Sequence, residues 1–235
     1  MILEKIFAHD KNIAILIDPD KITDSTYSLI SEKFDNKIIS SILIGGSLVF
    51  SETEKVTKKI KHTTELPVIL FPGNLSQINS FVDAVLFLSL ISGRNPEFLI
   101  GQHVVAAPLI KRLGLETIPT GYMLFDCGCV NSVRYISGTL PIPNNKPDIA
   151  IATAVAGEML GLKTLYLEAG SGADTHVSLS TIRAVREAVS IPIIVGGGIK
   201  TKHDIEKIFK SGADLVVLGT VLEQNPKLIK DLIVN

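Results

Sequence analysis

Three stretches of the chain set small residues directly after an apolar run. Residues 164–167 run into Glu168-Ala169-Gly170-Ser171-Gly172, residues 193–195 into Gly196-Gly197-Gly198, and residues 215–218 into Gly219-Thr220. Glycines at such positions let backbone N–H groups converge on a phosphate, because no Cβ holds the anion off. One such cluster would merely end a strand; three in succession predict a phosphate grip. Glu168 is the carboxylate among them. Facing a bound anion its pKa should rise, which suits a general base acting on a hydroxyl of a phosphoester. The plain alternative is a salt-bridged carboxylate at a strand end. Tyr166 stands two residues earlier, on the same side of the strand, where it could hydrogen-bond the same ligand.

A second grouping is acidic and hydroxylic. Residues 13–17 end in Asp18-Pro19-Asp20-Lys21, where Pro19 stops the strand, and residues 41–44 end in Gly45-Gly46-Ser47. Asp18, the Ser47 hydroxyl and a substrate phosphate would make the oxygen set that Mg²⁺ prefers, with water completing it. Taken alone, Asp18 reads equally as a turn carboxylate capping the next helix.

Composition removes other classes. The 24 acidic and 23 basic residues nearly cancel, and aromatics are 6% with no Trp. Neither a basic stripe nor a stacking platform for bases is present, so nucleic acid is not an expected partner. Residues 1–10 lack the apolar region and cleavage site of a secretory signal, and the most apolar run, 84–91, is too short to cross a bilayer. Cys127 and Cys129 are the only cysteines and read as reduced thiols of a cytoplasmic protein; the five histidines show no ligand-like spacing.

The elements that must position these residues follow from the apolar runs. Strands are expected at 13–17, 41–44, 67–71, 84–90, 116–124, 164–167, 193–195 and 215–218, read as apolar runs rather than alternating ones, with 116–124, which holds Pro119 and Gly121, less clear than the others. Helices are expected at 24–34, 53–62, 96–113, 148–160, 180–189, 201–210 and from about 220 to 233. Ser51-x-x-Glu54 and Thr201-x-x-Asp204 read as capping signatures. The connection 74–81 is hardly long enough for a helix, and 125–147 is a long excursion rich in Asn, Gly and Pro. Alternating, fully buried strands mean a parallel sheet, and eight units in one chain favour a closed α/β barrel over an open doubly wound sheet. With no Gly-x-Gly-x-x-Gly after the first strand, a dinucleotide fold is disfavoured. Without a composition break, residues 1–235 are expected to form one domain. In such a barrel the strand carboxyl ends build the site, which adds Asp20, Gly73 and Ser92 to the candidates.

Ile17-Asp18-Pro19-Asp20-Lys21, Ile44-Gly45-Gly46-Ser47, the stretch 166–172, Val195-Gly196-Gly197-Gly198-Ile199 and Leu218-Gly219-Thr220 together resemble the geranylgeranylglyceryl phosphate synthase family, from strand one to strand eight. The resemblance implies a modified (β/α)8 TIM barrel whose third helix is replaced by an irregular strip, which suits the short 74–81 connection. It implies a prenyltransferase that joins sn-glycerol 1-phosphate to geranylgeranyl diphosphate by an ether bond. By position it assigns Mg²⁺ to Asp18 and Ser47. To the glycerol phosphate it assigns Tyr166, Leu167, Glu168, Ala169, Gly170, Ser171 and Gly172, then Gly197, Gly198, Gly219 and Thr220. It further implies a homo-oligomer, a dimer or a hexamer. The heptaprenyl branch has a Lys two residues before the metal Asp, whereas Leu16 stands here. The Gly-Ser-Gly loop and the 125–147 insertion are similar to the group that uses the geranylgeranyl chain.

On this basis Glu168 would take the proton while Mg²⁺ favours departure of the diphosphate. The prenyl tail needs an apolar groove, for which Leu86, Leu88, Leu90, Phe98, Val104 and Val105 are the richest supply. Any membrane contact would be transient. The competing readings are a heptaprenyl transferase, a sugar-phosphate isomerase or aldolase on the same barrel, and a phosphate-binding scaffold without chemistry. An isomerase or aldolase would want a Schiff-base Lys or second acid at a strand end, and Lys21 and Lys200 lie beyond the strands.

Overall fold

Apolar runs without alternation become strands when both of their faces are covered. In the computed structural model, which describes residues 1–31, 38–128 and 131–224, they do so around a closed barrel. In chain order the elements are α1 (Ile2–Ile6), β1 (Asn12–Ile17), α2 (Asp24–Ser31), β2 (Ile39–Ile44), α3 (Thr53–Thr63), β3 (Val68–Leu70) and β4 (Ala84–Ser89). There follow α4 (Gln102–Leu113), β5 (Glu116–Asp126), α5 (Ser132–Ser137), β6 (Ile142–Pro143) and α6 (Pro147–Met159). The chain then runs through β7 (Thr164–Glu168), α7 (Leu179–Ala188), β8 (Ile193–Gly196), α8 (Lys202–Lys210), β9 (Leu215–Leu218) and α9 (Thr220–Gln224).

Eight strands pair in parallel as β1-β2-β3-β4-β5-β7-β8-β9, and β9 pairs back to β1. The short β6 adds to the far end of β5 through Phe125 and Ile142. Strand periodicity sorts the core into two layers. Ala14, Leu43, Leu86, Tyr166, Ile194 and Val217 fill the barrel interior. Their neighbours Ile15, Ile42, Val85, Leu167, Val195 and Val216 pack outward in the layer that also holds Ile60, Ala106, Ala154, Ile182 and Ile208 of the helices. The amino end is closed by α1: Ile6 reaches the inner core, and the N–H groups of Ile2 and Leu3 donate to the Glu116 carboxylate at 2.9 and 3.1 Å.

Between β3 and β4 there is no barrel helix, only a 3₁₀ turn at Leu75–Gln77. Gln77, buried, donates to the Gly46 carbonyl at 2.9 Å and accepts from the Gly73 N–H at 3.2 Å, so this thin strip is tied to the loops after β2 and β3.

Several expected boundaries shift. The capping box at Ser51-x-x-Glu54 does not form: Glu52 is the N-cap of α3 without a side-chain cap bond, because the Ser51 N–H is committed to Asp20 at 2.7 Å. The box at Thr201 and Asp204 does form. β5 continues to Asp126, and the excursion holds α5 and β6 rather than a bare loop. Ahead of α4 the backbone takes a π-helical turn at Glu97–Gly101. Cys127 is buried; Cys129, the end of the expected helix 24–34 and the last expected helix beyond residue 224 lie outside the described residues. Among the described residues no helix is long and apolar enough to cross a membrane.

Candidate active site

A cavity of about 920 Å³ opens at the carboxyl ends of the strands. Its polar wall gathers Asp18 and Ser47 from the ends of β1 and β2 with Tyr166, Glu168, Ser171 and Gly172 of β7 and its loop. Gly197 and Gly198 after β8, and Gly219 and Thr220 after β9, complete it. Three expected binding residues are absent from this wall. Leu167 and Ala169 point outward into the layer beneath the helices, as the two-residue period of a strand requires once Tyr166 and Glu168 face in. Gly170 lies under its own loop, where its N–H donates to Glu168 Oε1 at 2.5 Å. Asp20 and Ser92 also leave the site. The Asp20 carboxylate accepts from the N–H groups of Phe50 and Ser51, and Ser92 Oγ accepts from the Leu124 N–H at 2.9 Å. Gly73 does line the cavity.

The grip depends on how closely its loops approach. Gly197 has φ +82°, and a Cβ there would lie 2.6 Å from Glu168 Oε1 and 2.7 Å from the Gly170 N. Both the left-handed backbone and the contact therefore demand glycine. Ser171 Oγ and Thr220 Oγ1, 3.1 Å apart, join the loops after β7 and β9. Lys200 Nζ donates to the Asp174 carbonyl at 2.8 Å at the same rim.

Glu168 sits at the floor of this grip, only 6% exposed. Burial pushes its pKa up to about 7, against the hydrogen bonds from the Gly170 N–H and the Tyr122 and Tyr166 hydroxyls, which favour the anion. The carboxyl is thus poised near neutrality, where a general base works best. Tyr166 is enclosed rather than open to ligand along its length: its ring stacks on Phe71 at 5.1 Å and lies 5.3 Å from Tyr122. Burial holds both phenols well above their usual pKa, so they remain donors. Tyr122, the register partner of Tyr166 across β5 and β7, is a functional candidate that sequence reading missed. Pro119 and Gly121 had blurred β5, and a clear strand there would have paired the two tyrosines.

At the other rim Asp18 Oδ1 accepts from the Asp20 N–H at 3.1 Å, and Oδ2 lies 3.1 Å from Lys21 Nζ. Lys21 Nζ also stands 3.7 Å from Glu223 Oε2 on α9. Burial alone would lower the lysine's pKa, but the bond to Asp18 and the charge of Glu223 outweigh it and raise it. Among the described residues no cluster of three His, Cys, Asp or Glu could hold a metal. Asp18 and Ser47 offer two hard oxygens on adjoining loops of one cavity, which fits Mg²⁺ only as an ion shared with water and substrate oxygens. Glu223 was also missed by sequence reading, since nothing in α9 marks it as facing the mouth.

From the mouth the cavity continues over β4. Leu86, Leu88 and Leu90 line its inner side with Phe98, as expected. Val85, Phe87, Leu75, Ile78, Ala106 and Ile110 extend it to the outer face, in the space that a third barrel helix would fill. Val104 and Val105 do not contribute; they are 65% and 64% exposed on the far side of α4. His103 was not foreseen. Its Nε2 lies 3.2 Å from Ser89 Oγ, which itself donates to the Leu99 carbonyl, so Nε2 carries the proton. Nδ1 is buried without a hydrogen-bond partner, and burial lowers the imidazole pKa.

Comparison with known proteins agrees with this geometry. The chain is 52% identical over 223 residues to a geranylgeranylglyceryl phosphate synthase of Spirosoma linguale, covering 94% of this chain and 90% of that one. It is 47% identical over 226 residues to the enzyme of that name from Chitinophaga pinensis, covering 94% and 88%. Among solved structures it superposes with a TM-score of 0.89 and 31% identity on (S)-3-O-geranylgeranylglyceryl phosphate synthase from Thermoplasma acidophilum in complex with sn-glycerol 1-phosphate, covering 99% of this chain and 94% of that one. The PcrB family model matches residues 7–235. A closed parallel barrel, three glycine loops over one buried carboxylate and this extent of similarity agree: the chain belongs to the PcrB family.

Proposed function

We propose that the protein is a prenyltransferase that joins sn-glycerol 1-phosphate to geranylgeranyl diphosphate, giving geranylgeranylglyceryl phosphate and diphosphate, a step of ether-lipid synthesis. The observation that carries the reading is the placement of Glu168. It is buried, held near pKa 7 and set beneath a grip of glycine loops at the head of an apolar groove. The phosphate of the acceptor would take the N–H groups around Gly172, Gly197, Gly198 and Gly219, with the Ser171 and Thr220 hydroxyls beside it. That leaves the primary hydroxyl over Glu168, which accepts its proton as the ether C–O bond forms. Tyr122 and Tyr166 hold the carboxylate from below and fix its direction. The pair of electrons in the breaking allylic C–O bond leaves with the diphosphate.

Asp18 and Ser47 are the residues that would hold Mg²⁺, which when bound supplies positive charge that neutralises the diphosphate. The prenyl chain would lie along Leu86, Leu88 and Phe98 and pass out between the 75–78 strip and α4. The groove excludes water from the allylic carbon along this path, so the hydroxyl rather than solvent captures it. We extend the reading to a homo-oligomer, a dimer or hexamer. The apolar face of Ile100, Val104 and Val105 is exposed and suits a second copy of the chain.

The reading is tested by supplying sn-glycerol 1-phosphate with radiolabelled prenyl diphosphates of graded length, with Mg²⁺ and with chelator. Label should pass into an organic-soluble, phosphatase-sensitive ether, most efficiently with the geranylgeranyl chain. Absence of product at every length would overturn it; preference for a heptaprenyl chain would move the substrate and keep the reaction.

A further inference from the structure

Lys21 is bound into the mouth by geometry that a simple turn does not need. Its N–H donates to the Asp18 carbonyl at 3.0 Å, closing the Asp18-Pro19-Asp20-Lys21 turn, and this sets its side chain across the cavity rim. There the ammonium sits between two carboxylates from opposite ends of the chain, 3.1 Å from Asp18 and 3.7 Å from Glu223. All three side chains line the cavity. The trio carries one net negative charge; without the ammonium, two bare carboxylates would face an incoming diphosphate across a partly desolvated rim, where repulsion is weakly screened. Asp18 is also the candidate metal ligand, so a metal ion and the ammonium compete for the same carboxylate. Glu223 provides the second hold that keeps the ammonium at the rim when Asp18 is taken.

We propose that Lys21 is the residue that binds the diphosphate of the prenyl donor and accompanies it as leaving group, with Glu223 as the positioning residue that retains it between turnovers. The inference rests on the prenyltransferase reading and adds to it a residue for the leaving-group side. Lys21 gains no bond and loses no proton in the step. The allylic C–O bond breaks toward the diphosphate, the hydroxyl proton goes to Glu168, and Lys21 Nζ neutralises charge on the diphosphate oxygens.

The test is calorimetric titration with inorganic diphosphate and, separately, sn-glycerol 1-phosphate, in chelator and in Mg²⁺. The proteins are the wild type, Lys21→Gln, Lys21→Arg and Glu223→Gln. Lys21→Gln should weaken diphosphate binding at least tenfold in chelator and leave glycerol phosphate within twofold; Lys21→Arg should restore most of the diphosphate affinity. Glu223→Gln should match the wild type in chelator, where Asp18 still holds the ammonium, and weaken diphosphate binding several-fold in Mg²⁺, where Asp18 is taken; wild-type affinity under both conditions overturns its positioning role. Unchanged diphosphate affinity in Lys21→Gln, or an equal loss for both ligands, overturns the assignment. If the wild type binds neither ligand, the prenyltransferase reading itself fails, and the two failures are distinguishable.

Discussion

Replacing Glu168 with Gln should remove activity and at the same time stabilise the protein above neutral pH. In the folded chain the carboxyl titrates at about 7 against an ordinary 4.5, with burial as the main cause. A carboxyl whose folded pKa is raised binds more protons in the folded than in the unfolded state, so stability falls as pH rises from about 4.5 through 7. At ~1.4 kcal/mol per pH unit, full ionisation costs the fold about 3 kcal/mol. Gln is neutral at every pH and keeps an acceptor for the Gly170 N–H. The value of about 7 already contains the help of the Gly170 and tyrosine bonds, and about 1 kcal/mol of the cost accrues below pH 5, where the two proteins are first compared. Urea unfolding of the ligand-free protein should therefore show Glu168→Gln close to the wild type at pH 5. At pH 8 it should be about 2 kcal/mol more stable, a rise in Tm of roughly 4–8 °C for a chain of this size. A difference that stays constant between pH 5 and 8 would refute the claim that Glu168 is held near neutrality by burial.

Tyr122→Phe removes a donor that favours the Glu168 anion, so the midpoint of the pH–rate profile should move up and turnover at pH 7 fall several-fold, with glycerol phosphate affinity unchanged by calorimetry. Gly197→Ala forces a Cβ into the Glu168 carboxylate from a left-handed backbone; stability should drop by at least ~1 kcal/mol in urea, and glycerol phosphate binding should weaken more than tenfold. Asp18→Asn should cut turnover at least ~100-fold and abolish the response to added Mg²⁺, leaving glycerol phosphate affinity within twofold in titration.

The barrel was legible because most strands are continuous apolar runs that end at a glycine, a proline or a carboxylate; β4, which runs on into Leu90-Ile91-Ser92, and β5, with Glu116, Thr117, Thr120 and Gly121, are the exceptions. The phosphate grip was legible for the same reason, since Gly172, Gly197, Gly198 and Gly219 fall directly beyond strand ends. What misled was counting every residue of a motif as a contact. Leu167 and Ala169 belong to the motif, yet strand alternation turns them into the outer core. Tyr166 lines the cavity as expected and also supports Glu168, a second role set by its pairing with Tyr122 that no single strand displays. Asp20 was a candidate by its place beyond a strand end and is spent on the backbone of the loop after β2. Glu223 and His103 come to the cavity through tertiary contacts far apart in sequence. Val104 and Val105 were drawn into the groove by hydrophobicity alone, although the helix turns them to the opposite side.

The most direct measurement is the single-turnover rate of ether formation from pH 5.5 to 9, with sn-glycerol 1-phosphate saturating, in the wild type and Glu168→Gln. The account predicts a wild-type rate that climbs with pH through a midpoint at or above 7, because the bound phosphate pushes the carboxyl further up. It predicts that the rate falls by at least ~100-fold in Glu168→Gln across the range. A wild-type rate that is flat over this range, or a Glu168→Gln protein that keeps the wild-type rate, would contradict it.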